Sequence, residues 1–380
     1  VTGWHDTPLS TGPTVILGRK GQGPLGVEWC DGPFWVIDTA YYTSVVPSLD
    51  PLFFYYFVDW MGLNHLKDGT SNPSLNRDTF GIQEMPLPPL GEQRSISQTL
   101  KALDDKIEVN RRMAATLEEM ARALYRSWFV DFDPVHAKAQ GRTPAHMDPA
   151  TAALFPARFG DNGLPEGWEM EPLGRHVTAA KGLSYKGKFL CSEGEGLPLH
   201  NLNSIFEGGG YKDEGAKFYS GDFKSRHEVV PGDLIVANTE QSFDLELIGF
   251  SALVPRNLGP MGLFSHHLFK VEPKPGSPIS RPWMHYALSA SWIGVAVRAF
   301  ANGTTVNMLP ADSFDLPKIP VPPAGVVGAF DRIVSGFHER IEGLREENRT
   351  LAALRDALLP KLMSGELRVR EAEAQVGEVA

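Results

Sequence analysis

The stretch MPLPPLGEQ at residues 85–93 is nearly repeated as IPVPPAGVV at residues 319–327. With the two set in register, the offset is 234 (319 − 85), and it holds well beyond the prolines. Gly69-Thr70 falls on Gly303-Thr304, Leu75 on Leu309, Asp78 on Asp312 and Phe80 on Phe314. Downstream, Ile107 meets Ile341, Arg111 meets Arg345, Leu117 meets Leu351 and Leu124 meets Leu358. Upstream the match is looser: VILGR (15–19) is like LIVAN (234–238), and PLFFYYFV (51–58) is like RPWMHYAL (281–288). So long a period is not that of a solenoid, whose repeats run to about 20–50 residues. It marks a duplicated domain.

A seam follows each proline stretch. The first runs Ile96, Leu100, Leu103, Ile107, Asn110, Ala114, Leu117, Ala121, Leu124, Trp128, with steps of four and three. Shifted by the offset it recurs as Phe330, Val334, Phe337, Ile341, Leu344, Asn348, Leu351, Arg355, Leu358, Leu362. Such spacing predicts coiled-coil helices. The prolines cannot lie inside a helix and therefore mark its entry. A helix over 91–128 would be about 57 Å long at 1.5 Å per residue. It is too narrow to stand alone, and its own duplicate is the obvious partner. Each seam carries one asparagine, Asn110 and Asn348. If the helices run antiparallel and the two meet, they fix the register at some cost in stability. The alternative is that both face solvent.

Composition bounds the rest. The 380 residues suffice for two or three domains, and 42% hydrophobic with 22% charged residues is ordinary for a globular protein. The two cysteines, Cys30 and Cys191, make neither a disulfide framework nor a zinc site, so a reducing cytoplasm is the expected location. No apolar run reaches the roughly 18 residues of a membrane helix, and VTGWHDTPLS has no signal-peptide character. A net charge of −10 argues against a chain coated in nucleic acid but allows a local basic groove. Residues 131–164 read as a Pro/Gly/Ala-rich linker with one short helix near 149–154. Short apolar runs between glycine turns then predict strands through 165–315, and residues 1–84 have the same texture at about half the length. The expected class is α+β. It comprises a first domain (1–84), a first helix (85–130), a linker (131–164), a second domain (165–315), a second helix (316–366) and a tail (367–380).

Taken together, the chain resembles the DNA-specificity subunit of type I restriction-modification systems. The resemblance covers nearly the whole chain. It rests on MPLPPLGEQ before a long helix, LYRSWFVDFDPVHAK (124–138), LPEGWEMEPLG (164–174), VVPGDLIVANT (229–239) and GTTVNML (303–309), in that order. It implies two mixed α/β target-recognition domains, each reading half of a split site in double-stranded DNA. They are separated by a pair of long antiparallel coiled-coil helices in a pseudo-twofold repeat. It also implies docking of methyltransferase subunits, two by expectation, joined by restriction subunits. The chain itself would be non-catalytic and without a cofactor, S-adenosylmethionine belonging to the methyltransferase. B-DNA rises about 3.4 Å per base pair, so spacers of this length would separate the half-sites by more than a helical turn. Two departures stand out. The second proline stretch lacks GEQ, so any contact of Glu92 or Gln93 is not duplicated. If Val15 matches Leu234, about 55 residues of the first recognition domain are expected to be absent ahead of residue 12. The chain opens on Val1 rather than Met, so an alternative start or an absent preceding piece is expected.

Chemistry alone nominates DNA contacts. GRKGQG (18–23) sets Arg19 and Lys20 between glycines, where backbone can approach a phosphate; a solvated hairpin turn is the plainer reading, and the P-loop pattern is absent. AAKGLSYKGKF (179–189) offers Lys181, Tyr185, Lys186 and Lys188 with no acid. KFYSGDFKSRH (217–227) offers Lys217, Lys224 and Arg226. In ANTEQS (237–242), Asn238 and Gln241 could pair with adenine. Arg298, Asn302 and Thr304 read as structural. DLE (244–246) lacks the partners of a nuclease site, His266-His267 reads as a strand edge rather than a metal site, and NPSL (72–75) lacks the aromatic of a methyltransferase motif. The competing reading is a coiled-coil assembly protein with protein- or sugar-binding ends, which would show no DNA dependence.

Overall fold

The computed structural model describes residues 3–44, 46–240, 245–303 and 306–379, with side chains through residue 377. The chain opens with strands β1 (Thr14–Gly18), β2 (Val27–Cys30) and β3 (Ala40–Tyr42), then helix α1 (Pro51–Met61). A small hairpin, β4 (Lys67–Asp68) and β5 (Ser74–Leu75), and helix α2 (Arg77–Gly81) lead into the long helix α3 (Leu90–Phe129). Short helices α4 (Asp133–Ala139) and α5 (Pro149–Ala153) follow. Strands β6 (Glu169–Pro172), β7 (Val177–Lys181), β8 (Leu190–Cys191), β9 (Leu197–His200), β10 (Lys217–Tyr219), β11 (Glu228–Val229) and β12 (Leu234–Ala237) come next. After them run β13 (Thr239–Glu240), β14 (Ser251–Leu253), β15 (Gly262–Phe264) and β16 (Leu268–Pro273). Helices α6 (Arg281–Ala290) and α7 (Trp292–Arg298), strands β17 (Asn307–Met308) and β18 (Lys318–Val321), and helices α8 (Ala324–Ser364) and α9 (Val369–Val379) complete the chain. The class is α+β. The chain divides into two compact units, Val1–Arg111 with Glu346–Ala380, and Arg112–Arg345, so the division falls inside both long helices.

In the first unit, β1 is flanked antiparallel by β2 and β3. Helix α1 packs there because its apolar residues cluster on one face: Phe53, Tyr56, Phe57 and Val58 are buried with Val15 and Leu17. Asp50 caps the helix by accepting from Phe53 N at 2.9 Å, and Pro51 sits in the first turn, where it has no N–H to lose. Ile96, Leu100, Leu103 and Ile107 of α3 and Leu351, Leu358 and Leu362 of α8 close the same core. The two segments run antiparallel: Asp104 pairs with Arg355 at 2.7 Å, and Asn110 Nδ2 donates to Asn348 Oδ1 at 3.0 Å. The asparagines therefore meet. Residues 367–380, expected as a tail, instead include helix α9. Ala372, Val369 and Val376 give it one apolar face, which joins this core.

Gln93 lies in the same unit, 1% exposed. Its Nε2 donates to Ser48 O (3.0 Å) and Pro88 O (2.8 Å), and its Oε1 accepts from Asp50 N (2.8 Å). The residue therefore ties the proline entry of α3 to the cap of α1.

The second unit holds an antiparallel sheet of order β14-β12-β16-β7 and a five-stranded sheet of order β11-β15-β9-β10-β8, in which β15 and β9 are parallel. Residues 131–164, read as a linker with one short helix, carry two. Val135 and Phe155 are buried in the main core, so aromatic and branched residues outweigh the Pro/Gly content. Tyr125, Trp128 and Phe129 of α3 meet Phe155, Trp168, Trp283, Tyr286 and Phe330 in one aromatic cluster. Tyr125 is fully buried while Leu117, Leu124 and Phe337 of the expected seam are only partly so. A straight helix drifts about 20° per heptad from a 3.5 repeat, which moves the buried stripe from 124 to 125. The second proline stretch forms β18 and pairs with β6 (Ile319 opposite Glu171); its prolines are tolerated because β18 has a neighbour on one side only.

The repeat is visible unit by unit. β12 lies between β14 and β16 as β1 lies between β2 and β3. Asp50, the cap of α1, accepts from Ser97 Oγ (3.1 Å), while Ser280, the cap of α6, donates to Asp331 Oδ1 (2.7 Å). Ser97 and Asp331 are matched (331 − 97 = 234), so acid and hydroxyl have exchanged places. Tyr56 OH likewise donates to Asp104 Oδ2 (2.7 Å), and Tyr286 OH bonds the matched His338 Nε2 (2.8 Å). Among the described residues, β7 and the five-stranded sheet have no counterpart in the first unit.

Candidate nucleic-acid interface

Both units build the same loop frame just after the central strand. In the first unit, Arg19 N donates to Thr39 O (2.8 Å), its Nη1 donates to Asp38 O (3.2 Å), and its carbonyl accepts from Leu75 N (2.8 Å). In the second, Asn238 N donates to His267 O (2.9 Å), its Nδ2 donates to His266 O (3.1 Å), and its carbonyl accepts from Leu309 N (2.8 Å). The three bonds correspond one to one, and Leu75 and Leu309 are matched by the sequence offset. The frame thus makes Asp38-Thr39 the positional equivalent of His266-His267.

The side chains mounted on the two frames differ. In the first unit, Lys20 Nζ pairs with Asp38 Oδ2 at 2.6 Å, and this hydrogen bond, with the charge behind it, holds the exposed Asp38 carboxyl below its usual range. The guanidinium carbons of Arg19 and Arg77 lie 5.1 and 5.8 Å from the Tyr41 ring, within cation–π range. In the second unit, His267 Nδ1 lies 2.9 Å from Thr239 Oγ1, and the His266 and His267 rings are 3.9 Å apart. Tyr185 packs at 6.2 Å from His266 and 6.3 Å from Tyr219. Lys217 Nζ stands 5.8 Å from the Tyr185 ring and 3.5 Å from its hydroxyl. Burial, then the charges of His266, Lys181 and Lys217, push the His267 imidazole below its ordinary value.

Gly182 makes this second cluster possible. A Cβ there would lie 2.3 Å from Phe264 O, so only glycine lets the 181–186 loop lie against the 264–266 turn. Leu183 N donates to Phe264 O (2.8 Å), and His266 N donates to Leu183 O (2.9 Å).

Lys181, Tyr185 and Lys217 of the sequence candidates therefore come together, as do Arg19 and Lys20. Lys186, Lys188, Lys224 and Arg226 are exposed, with Lys188 over Phe189 (4.8 Å) and Arg226 against His227 (3.2 Å) rather than on Tyr185. Asn238 requires correction as a base contact. It is 1% exposed and its amide nitrogen is committed to His266 O, so it positions the histidine turn. Gln241, Asp244 and Thr304 lie outside the described residues. His266-His267, read as a strand edge, forms the turn between β15 and β16; no group of three His, Cys, Asp or Glu able to hold a metal occurs among the described residues. Sequence reading missed Tyr41, Arg77, Thr239 and both histidines. The signal was the repeat itself, since β1 and β12 were already aligned.

Residues 14–119 match the type I restriction modification DNA specificity domain. The chain is 25% identical over 339 residues to the specificity subunit of the type I restriction enzyme MjaIX of Methanocaldococcus jannaschii, covering 87% of this chain and 72% of that protein. It is also 25% identical over 354 residues to the HindI specificity subunit of Haemophilus influenzae, covering 78% and 71%. In fold it is similar to the crystal structure of a type I restriction-modification S subunit from M. genitalium, with a TM-score of 0.50, 16% identity and coverage of 95% of this chain and 86% of that one. Among the described residues, no helix is long and apolar enough to cross a membrane. Residues 14–119 thus match a type I restriction modification DNA specificity domain, and the chain over most of its length is similar to specificity subunits of type I restriction enzymes.

Proposed function

We propose that this chain reads a bipartite site in double-stranded DNA, one half with each unit, and performs no chemistry itself. The observation that carries this reading is the duplicated loop frame with different side chains: Arg19, Lys20, Arg77 and Tyr41 on one, Lys181, Tyr185 and Lys217 on the other. One frame with two chemistries suits two different half-sites. Basic groups supply sequence-independent attraction to phosphates, while aromatic and guanidinium faces can meet bases. Helices α3 and α8 act as the antiparallel spacer whose length sets the unread bases between half-sites. The same helices dock methyltransferase subunits, which carry S-adenosylmethionine, and restriction subunits join that assembly.

The test uses the full chain purified with its methyltransferase subunit and a labelled duplex titrated across a salt series. Lys181→Ala with Lys217→Ala is expected to weaken binding about tenfold or more and to lower the steepness of the salt dependence by one to two phosphate contacts, each worth a log–log slope of about 0.9. An unchanged salt slope removes these lysines from the interface. Binding that ignores DNA altogether, with the complex intact, favours a pure assembly role.

A further inference from the structure

We infer that His266 and His267 form a proton-gated phosphate contact, so that the second unit takes up a proton when it closes on the DNA backbone and the first unit does not. The inference deepens the DNA-binding reading above and rests on it.

The geometry is that of two adjacent imidazoles, centroids 3.9 Å apart and planes tilted by 40°, on a turn pinned from three sides. Asn238 holds both of its carbonyls, Leu183 accepts from the His266 N–H, and Thr239 Oγ1 meets His267 Nδ1 at 2.9 Å. A turn so fixed holds its side chains in place without a ligand. Tyr185 faces His266 from the 181–186 loop at 6.2 Å. Among the described residues, the charges acting on His267 are all positive: His266 beside it, Lys181 at the end of β7 and Lys217 at the start of β10. Glu240, next to Thr239 in the chain, turns its carboxylate to the N–H groups of residues 246, 247 and 248 at 3.2, 3.1 and 2.9 Å. Four basic groups thus converge, and the neighbouring carboxylate faces elsewhere.

Burial and these neighbouring positive charges disfavour protonation of His267. An anion entering the cluster reverses the balance, because a phosphate oxygen stabilises each added positive charge. Binding and proton uptake are then linked, and whatever raises one raises the other. A DNA phosphate is the anion this geometry suits, since the two lysines supply the long-range attraction and the imidazoles the short-range donors. At the equivalent positions the first unit has Asp38 and Thr39, with Lys20 already bonded to Asp38 (2.6 Å). That frame carries no histidine, so its contact is expected to be indifferent to pH.

The experiment uses the full chain in complex with its methyltransferase subunits and a random-sequence duplex of about 40 base pairs, titrated near pH 6 and near pH 8 at constant ionic strength. One proton taken up corresponds to up to about a tenfold change in affinity per pH unit. The wild-type complex is expected to bind at least about tenfold more tightly near pH 6, and the His266→Gln/His267→Gln variant to lose affinity chiefly near pH 6, so that this ratio falls to within about twofold. His266→Gln alone should fall between the two. A double variant that keeps the wild-type ratio overturns the inference while leaving DNA binding intact. A double variant whose methylated DNA sequence changes overturns it too, because phosphate contacts carry no sequence information. A wild-type complex that binds the duplex at neither pH overturns the DNA-binding reading itself, which separates the two failures.

Discussion

Phe330→Ala is expected to destabilise the second unit by about 3–5 kcal/mol, the usual range for removing a buried phenylalanine. The ring is fully buried, and Phe129, Tyr125, Tyr286 and Trp128 surround it with centroids at 5.3, 6.0, 6.0 and 6.3 Å. Those neighbours come from α3 and α6, while Phe330 itself is on α8. One side chain therefore joins three helices, and each edge-to-face contact adds to the area buried. The neighbours are rigid rings that cannot collapse into the space left behind, so the cavity persists and its cost is added to the lost transfer free energy. Denaturant unfolding of the purified complex, followed by aromatic fluorescence, measures the effect. A loss under about 1 kcal/mol would mean that the cluster packs loosely and that other contacts hold α8 in place.

Gln93→Leu is expected to cost about 2–4 kcal/mol in the first unit although it conserves volume and lowers polarity. The reason lies in the groups left behind. Ser48 O, Pro88 O and Asp50 N all lose a partner in a place where Gln93 is 1% exposed, and an unsatisfied buried group costs about 1–3 kcal/mol. Asp50 caps α1 and also receives Ser97 Oγ, so disturbance there spreads to the cap. The duplicate shows the other solution: the matched residue is Val327, 2% exposed within an apolar core. The midpoint of urea unfolding should fall with an unchanged slope. Unaltered stability would mean that water replaces the glutamine, and that the loss of GEQ from the second stretch has no structural consequence.

The long helices were legible because a four-and-three seam between proline entries admits few alternatives, and Asn110 and Asn348 do meet within the first unit. Two features escaped. Tyr125 is buried more deeply than its neighbour Leu124 because a helix of 3.6 residues per turn drifts from a strict heptad repeat. Helix α4 was hidden by Pro134 and Gly141, although a proline in the first turn is harmless to a helix. The site was half visible. Composition marks lysines and tyrosines, so Lys181, Tyr185 and Lys217 could be nominated, but it cannot tell an exposed asparagine from one buried beneath a turn. Asn238 was therefore nominated as a base contact although it lies buried beneath the turn that carries His266 and His267. The repeat held that information, since Arg19 and Asn238 make the same three hydrogen bonds.

The most direct measurement is the DNA sequence methylated in cells that express this chain with its methyltransferase subunit, read by single-molecule sequencing. The account predicts a split motif with two different halves and a fixed gap. It predicts further that Arg77→Ala relaxes one half only and Tyr185→Ala the other only. A continuous motif, or variants in either unit that relax both halves alike, would contradict it.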